Sequence, residues 1–117
     1  MTLEALGRRY LAAGGPWLPG MVDADGWRCV RVARDGLPLV ATDGGSLWGA
    51  TGGPGLSDAA TQGAVLGWLM DRGVSVTRWD AAGMRLVLPD GSSPRLAPPE
   101  RALVAAVEAL HKAVSDG

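Results

Sequence analysis

The chain has 117 residues, with 11 basic and 12 acidic side chains, so its formal net charge is −1. A chain of this size buries roughly two-thirds of its unfolded surface, enough for one core, so we expect a single domain over residues 1–117. A charge near zero disfavours a dedicated nucleic-acid-binding protein, because phosphate binding needs a clear basic excess. No uncharged apolar run approaches the ~18 residues of a membrane span, and the N-terminus lacks a signal-peptide layout, so we expect a cytoplasmic protein without a membrane partner.

The composition restricts what can build the core. The chain lacks Phe, Ile and Asn, and Lys112 is its only lysine. Leu, Val, Ala, Met and five tryptophans must therefore fill the interior, and each large aromatic can bury about 150–250 Å². Positive charge lies almost entirely on arginine, which, like tryptophan, is enriched where proteins contact one another.

The first segment predicts a short amphipathic helix. Thr2 can act as its N-cap, and Gly14-Gly15-Pro16 ends it, because two glycines favour a left-handed exit and proline cannot continue a helix. Its apolar stripe has helical spacing and consists of Leu3, Leu6, Tyr10 and Leu11.

The next segment has the regularly spaced turn residues of a β-meander. Three Asp-Gly pairs supply the positive-φ residues that tight hairpin turns require, namely Asp25-Gly26, Asp35-Gly36 and Asp43-Gly44. The segments between them are rich in strand-forming residues and predict strands at Trp27–Ala33 and Leu37–Ala41. Shorter flanking strands are expected around Gly20–Val22 and Ser46–Trp48.

A second helix follows the glycine-rich loop Ala50–Gly55. Ser57-Asp58 is a capping pair, the helix is expected to run to about Arg72, and Gly73 ends it. Its predicted apolar face consists of Thr61, Ala64, Val65, Trp68 and Leu69.

A hairpin and a third helix complete the chain. The predicted strands are Val74–Trp79 and Met84–Leu88, joined by Asp80–Gly83, and the loop Pro89–Pro98 follows them. Pro99 and Glu100 open the last helix, whose apolar stripe is Leu103, Val107, Leu110 and Val114, with Val104 beside it. The order α-β-β-(β)-α-β-β-α predicts an α+β fold in which about three helices pack on an antiparallel sheet of meander plus hairpin.

The inventory of reactive side chains does not support catalysis. The one histidine, His111, lies in the last helix, where we expect it to complement the C-terminal end of the helix dipole. We expect Cys29, the single cysteine, to face the core of a strand rather than to form a dyad with His111. Asp23-Ala24-Asp25-Gly26 lacks the further ligands of a calcium loop, so it predicts an Asx turn and no metal site. We therefore predict a protein that is not an enzyme and has no cofactor.

The loop Thr51–Gly55 precedes a helix N-terminus, where backbone N–H groups attract anions. An anion or nucleotide site there would use Gly52, Gly53, Gly55 and Ser57. No lysine lies nearby, the dinucleotide fingerprint is incomplete, and Asp58 would repel phosphate. We therefore favour a structural loop and keep the anion site as an alternative.

Four side chains are candidates for binding a partner. A four-residue turn at Asp80–Gly83 places Arg78 opposite Arg85. Like charges directly opposite each other destabilise a strand pair, so their repulsion needs an offset. That offset is either solvent and a pairing with Asp71, Asp80 or Glu108, or an acidic partner held by both guanidiniums. Trp17 and Trp48 lie beside loops, so each is either a core filler or an interface hot spot.

Two stretches carry a resemblance to a known group of proteins. Trp17-Leu18-Pro19-Gly20-Met21 and Pro54–Gly63 resemble the W-M-P-G-M and P-D-L-x-D-P-A-T-x-G elements of small proteins encoded by tailed phages and prophages. The likeness covers about half the chain, to roughly Arg72, with Ala59 where that group has proline and Ala64-Val65 where it has Cys-Leu. It implies a phage or prophage accessory gene expressed in a bacterial host, and it implies no activity.

These observations favour a non-enzymatic accessory protein that acts by stoichiometric binding to a host or phage protein. The first alternative is a small-ligand or nucleotide binder that uses the loop at residues 51–55. The second alternative is a minor virion or assembly component, for which a homo-oligomer would be expected.

Overall fold

The computed structural model of the protein describes residues 2–41, 44–50 and 52–116. Its helices are α1 (Leu3–Ala12), α2 (Ala59–Met70) and α3 (Pro99–Asp116), and its strands are β1 (Cys29–Val32), β2 (Pro38–Ala41), β3 (Leu47–Gly49), β4 (Ser75–Asp80) and β5 (Gly83–Val87). The predicted α+β class and element order are confirmed. The strands form two antiparallel sheets, the meander β1-β2-β3 and the hairpin β4-β5.

Helix α1 begins and ends as its sequence predicts. The Thr2 hydroxyl accepts a hydrogen bond from the Ala5 N–H at 3.1 Å, and Gly14 leaves the helix with a φ of +82°. Leu6 and Tyr10 are buried, as the stripe predicts, but Leu3 is 44% exposed. The first turn of α1 therefore extends past the core that its later turns cover.

Helix α2 is capped by Asp58 alone, whose side chain accepts from the Thr61 N–H. Ser57 is exposed and lies before the cap. The buried residues of the helix are Thr61, Gln62, Val65, Leu66 and Leu69. Ala64 and Trp68, which the predicted stripe included, are only half-buried, because the helix turns Gln62 and Leu66 toward the core instead.

The hairpin has Arg78 opposite Arg85, as predicted, and Trp79 opposite Met84. Asp80 also pairs with Gly83, so only two residues form the turn. Beyond β5, Met84 exchanges backbone hydrogen bonds with Ala97. This contact ties the loop before α3 to the sheet.

Helix α3 is the centre of the packing, since it contacts α1, α2 and β5. Leu103, Val104 and Val107 are at most 1% exposed, as predicted. Val114 is 81% exposed, so its predicted core position is wrong. The last turns of α3 continue past the elements that cover the rest of its apolar stripe.

Strands β1 and β2 are shorter than predicted, whereas the strand expected around Ser46–Trp48 is present as β3, one residue later. Gly26 and Gly36 have the positive φ expected of their turns, whereas in the third turn Gly45 rather than Gly44 adopts it. Asp43 lies outside the described residues. The segment Gly20–Val22 forms a single bridge, from Val22 to Arg28, and not a strand. Within the part of the chain that the structure describes, no helix is long and apolar enough to cross a membrane.

Candidate functional site

The meander sheet has one buried side. Cys29, Val40 and Trp48 are direct partners across β1, β2 and β3, and directly paired residues lie on the same face of a sheet. Cys29 and Val40 are 1% and 2% exposed, so this inner face is turned toward the rest of the protein. Both residues lie outside the main core cluster of the helices and the hairpin.

The opposite side of the meander is apolar and open. Strand alternation places Leu37, Leu39 and Leu47 on that side, because Leu39 pairs with Gly49 and Ala41 pairs with Leu47. Leu37 and Leu47 are each 48% exposed. We call the side formed by Leu37, Leu39 and Leu47, with Val30 next to them, the outer face.

Val30 extends the outer face because β1 contains a β-bulge. The register passes from Cys29 opposite Val40 to Arg31 opposite Leu39, so Val30 and Arg31 together face one residue of β2. Val30 is 50% exposed. A bulge at the rim of a sheet re-aims side chains, and here it adds an exposed valine beside the leucines.

Two arginines lie on or beside the outer face. Arg31 lies opposite Leu39, and Arg34 lies in the turn between β1 and β2. Among the described residues, neither guanidinium forms an ion pair or a side-chain hydrogen bond. An apolar centre flanked by unpaired arginines has the composition of a protein-binding surface.

The two tryptophan candidates have different surroundings. Trp48 is 63% exposed and lies at the open edge of the meander, on the inner side. Trp17 is half-buried and packs against the main core. This placement favours the core-filler interpretation of Trp17 and leaves Trp48 as the stronger interface candidate. Trp79, which sequence reasoning did not single out, is 44% exposed on β4.

Arg78 and Arg85 each have a partner of their own. Arg78 Nε donates to Asp80 Oδ2 at 2.8 Å, and Arg85 Nε donates to Ser93 Oγ at 3.0 Å. The bond from Arg78 lowers the pKa of the Asp80 carboxyl. The offset to the opposed charges therefore includes Asp80, one of the three acidic residues proposed for it, which weakens the case for a shared anion clamp.

The glycine-rich loop is packed between α1 and the N-terminus of α2. The Gly55 N–H donates to the Val22 carbonyl at 2.9 Å, and a Cβ on Gly53 would lie 2.9 Å from the backbone carbon of Gly7. Gly52 has a φ of +68°, while Thr51 lies outside the described residues. The positive φ of Gly52 and the close packing of Gly53 and Gly55 account for these glycines, so the structure supplies no separate argument for the anion site.

The negative charge of Asp58 at the N-terminus of α2 already has partners within the chain. Arg28 Nη1 donates to Asp58 Oδ2 at 3.0 Å, and Thr61 donates to the same oxygen through its N–H and its hydroxyl. The bond from Arg28, followed by those from Thr61, lowers the pKa of Asp58 to about 2. The groove beside the loop also contains Glu4 and the buried Asp23, which disfavours a phosphate there.

Cys29 and His111 lie in different environments. The Cys29 thiol donates to the Arg31 carbonyl at 3.4 Å within its own strand, and the thiol is buried as predicted. His111 is exposed, and α3 continues for five residues beyond it to Asp116. The prediction that it lies at the helix C-terminus is therefore wrong.

Asp23 forms the predicted Asx turn. Its Oδ1 accepts from the N–H groups of Asp25 at 3.0 Å and Trp27 at 2.9 Å. No group of three metal-ligating side chains occurs within residues 2–41, 44–50 and 52–116. The carboxylate therefore organises the turn before β1.

Two further grooves lie along α3. One, of about 430 Å³, is bordered by Arg9, Arg95 and Arg101. Arg9 forms a two-pronged ion pair with Glu108, with 3.1 Å between Nε and Oε2. The other groove is apolar and lies beside the exposed Val114.

Comparison with known proteins gave no match to any family model, curated protein or solved structure. The candidate site therefore depends on the geometry of this chain alone.

Proposed function

We propose that this protein is a non-enzymatic binding protein that contacts another protein stoichiometrically through the outer face of its meander. The observation that carries the proposal is the cluster of half-exposed apolar residues on a sheet face, Val30, Leu37 and Leu47. Exposed apolar side chains that lie together on one face and are rimmed by polar residues are a mark of interaction surfaces.

The area of the outer face is sufficient to anchor a partner. An aliphatic side chain of this size has about 150–200 Å² of surface, so three that are half-exposed offer on the order of 250 Å². Specific interfaces bury about 800 Å² per partner, of which a little over half is apolar. The outer face thus supplies the central apolar part of such an interface, and the polar rim must come from its surroundings.

The unpaired arginines indicate what kind of partner surface would fit. Arg31 and Arg34 lie on or beside the outer face and form no ion pair within the described residues. A partner that presents apolar side chains flanked by Asp or Glu would match both features. Consistent with the resemblance to phage accessory proteins, the partner is a host or phage protein in the bacterial cytoplasm.

A pull-down with matched variants tests the proposal. Leu37→Ser removes an apolar side chain from the outer face, and Val114→Ser makes a similar change at the more exposed end of α3. The wild type and the Val114→Ser control should recover the same protein from bacterial lysate at near-equal stoichiometry, whereas Leu37→Ser should lose it. Recovery of no protein, or equal recovery by all three, would contradict the proposal.

A further inference from the structure

The open edge of the meander leads to an inference that goes beyond the proposed function and does not depend on it. We infer that β3 is a self-association edge, through which two copies of the chain pair antiparallel about a two-fold axis at Trp48. The two meanders would then form one six-stranded sheet.

The backbone of β3 is arranged for this pairing. The Ala50 N–H donates to the Pro38 carbonyl at 3.0 Å, and hydrogen-bonded pairs alternate along an antiparallel ladder. Trp48 therefore directs its N–H and C=O toward Val40. The corresponding groups of Leu47 and Gly49 point away from β2, and no strand of the described chain lies beyond β3 in the sheet.

The outward N–H and C=O groups of Leu47 and Gly49 can pair with the same groups of a second copy in one register. With Trp48 opposite Trp48 of the second copy, Leu47 of each copy faces Gly49 of the other. Each of these two pairs exchanges two backbone hydrogen bonds, while the Trp48 pair is the closely spaced pair, with Cα atoms about 4.5 Å apart.

The side chains fit the same register. Gly49 has no side chain, and a Cβ there would meet only Leu37 Cδ1, at 3.9 Å, so the outer face has room for Leu47 of the second copy. On the inner side, two indoles that are each 63% exposed come together at the axis. Each indole has on the order of 150 Å² left to bury.

Within residues 44–50, the edge also lacks the usual protection against such pairing. Exposed edge strands are normally shielded by charged residues, proline or a covering segment. Residues 44–50 contain neither a charged residue nor a proline, and all of them except Ala50 are exposed. A second copy of the chain is the partner that matches both the symmetry of β3 about Trp48 and the space left by the missing side chain of Gly49.

The small area argues for a weak association. Trp48 and Leu47 together offer roughly a third of the 800 Å² per partner of a standard interface. We therefore expect a reversible dimer with a dissociation constant in the micromolar range.

Sedimentation equilibrium on the full chain tests the dimer, with variants that separate the edge from other exposed residues. Trp48→Ala should weaken dimerisation at least about tenfold, as expected for a central aromatic. Gly49→Pro should do the same, because it removes an outward N–H that β2 does not use. Trp79→Ala, at another exposed strand tryptophan, should leave the dimer intact.

A disulfide trap tests the register. In Trp48→Cys the two thiols of a dimer fall within bridging distance, so oxidation should give a covalent dimer, whereas Leu47→Cys should not. Cys29 is 1% exposed and does not compete. A wild type that stays monomeric up to millimolar concentration, or a dimer unaffected by both edge variants, would overturn the inference. Neither result would change the pull-down expected for the outer face.

Discussion

The Asp58 side chain caps α2 and binds Arg28, so its replacement should separate two contributions to stability. Asp58→Ala removes an N-cap, which costs about 0.5–2 kcal/mol, together with an ion pair worth about 0.2–1 kcal/mol at this partial exposure. Asp58→Asn keeps an acceptor for the Thr61 N–H but loses the charge and one of the two oxygens that accept from Arg28. We expect the free energy of unfolding to fall by about 2 kcal/mol in Asp58→Ala and by about 1 kcal/mol in Asp58→Asn.

The pH dependence of this difference is a sharper test. The pKa of Asp58 is about 2 in the folded protein and 3.8 as its ordinary value, so the unfolded chain binds the proton more strongly. The stabilisation is therefore complete above about pH 5 and is lost as the pH falls toward 2. Urea unfolding of wild type and Asp58→Asn should give curves that converge near pH 2. A gap at pH 2 as large as at pH 7, or no gap at pH 7, would refute the reasoning.

Further predictions concern the packing of single residues. Alanine at Gly67, whose Cβ would meet open space on α2, should raise the free energy of unfolding by about 0.5–1 kcal/mol. The same substitution at Gly7 of α1 should lower it by about 1–3 kcal/mol, because the Cβ would lie 2.8 Å from the Pro54 carbonyl oxygen. Equal signs in thermal unfolding would contradict this account. Tyr10→Phe should lose about 1 kcal/mol with the hydrogen bond from the hydroxyl to the Pro16 carbonyl, 2.6 Å long, and an unchanged midpoint in urea would contradict it.

Local signals in the sequence predicted the element order. The Thr2 cap, the glycine exits at Gly14 and Gly73, and the hairpin register around Trp79 all depend on residues within a few positions of one another. Such local interactions can be predicted from the sequence without knowledge of the fold.

The division into two sheets and the ends of the apolar stripes depend on long-range packing. The stripe of α3 runs to Val114 with unbroken periodicity, yet the elements that cover the helix end before its last turns. Periodicity gives the face of a helix that can be buried, and only the tertiary fold decides how much of that face is covered.

The outer face was not predicted for a similar reason. Leu37–Ala41 is apolar at every position, so the strand pattern cannot show which side faces solvent. Trp48 was identified as an interface candidate from its loop context. Its role at an edge depends on β3 being the last strand of the meander, which the spacing of turns alone does not establish.

Site-specific photo-crosslinking in bacterial cells tests most directly whether the outer face binds another protein. A photoreactive residue at Leu37 should give a discrete adduct with one other protein, identifiable by mass spectrometry, whereas the same residue at Val114 should not. No adduct at Leu37, or the same diffuse labelling at both positions, would contradict the claim.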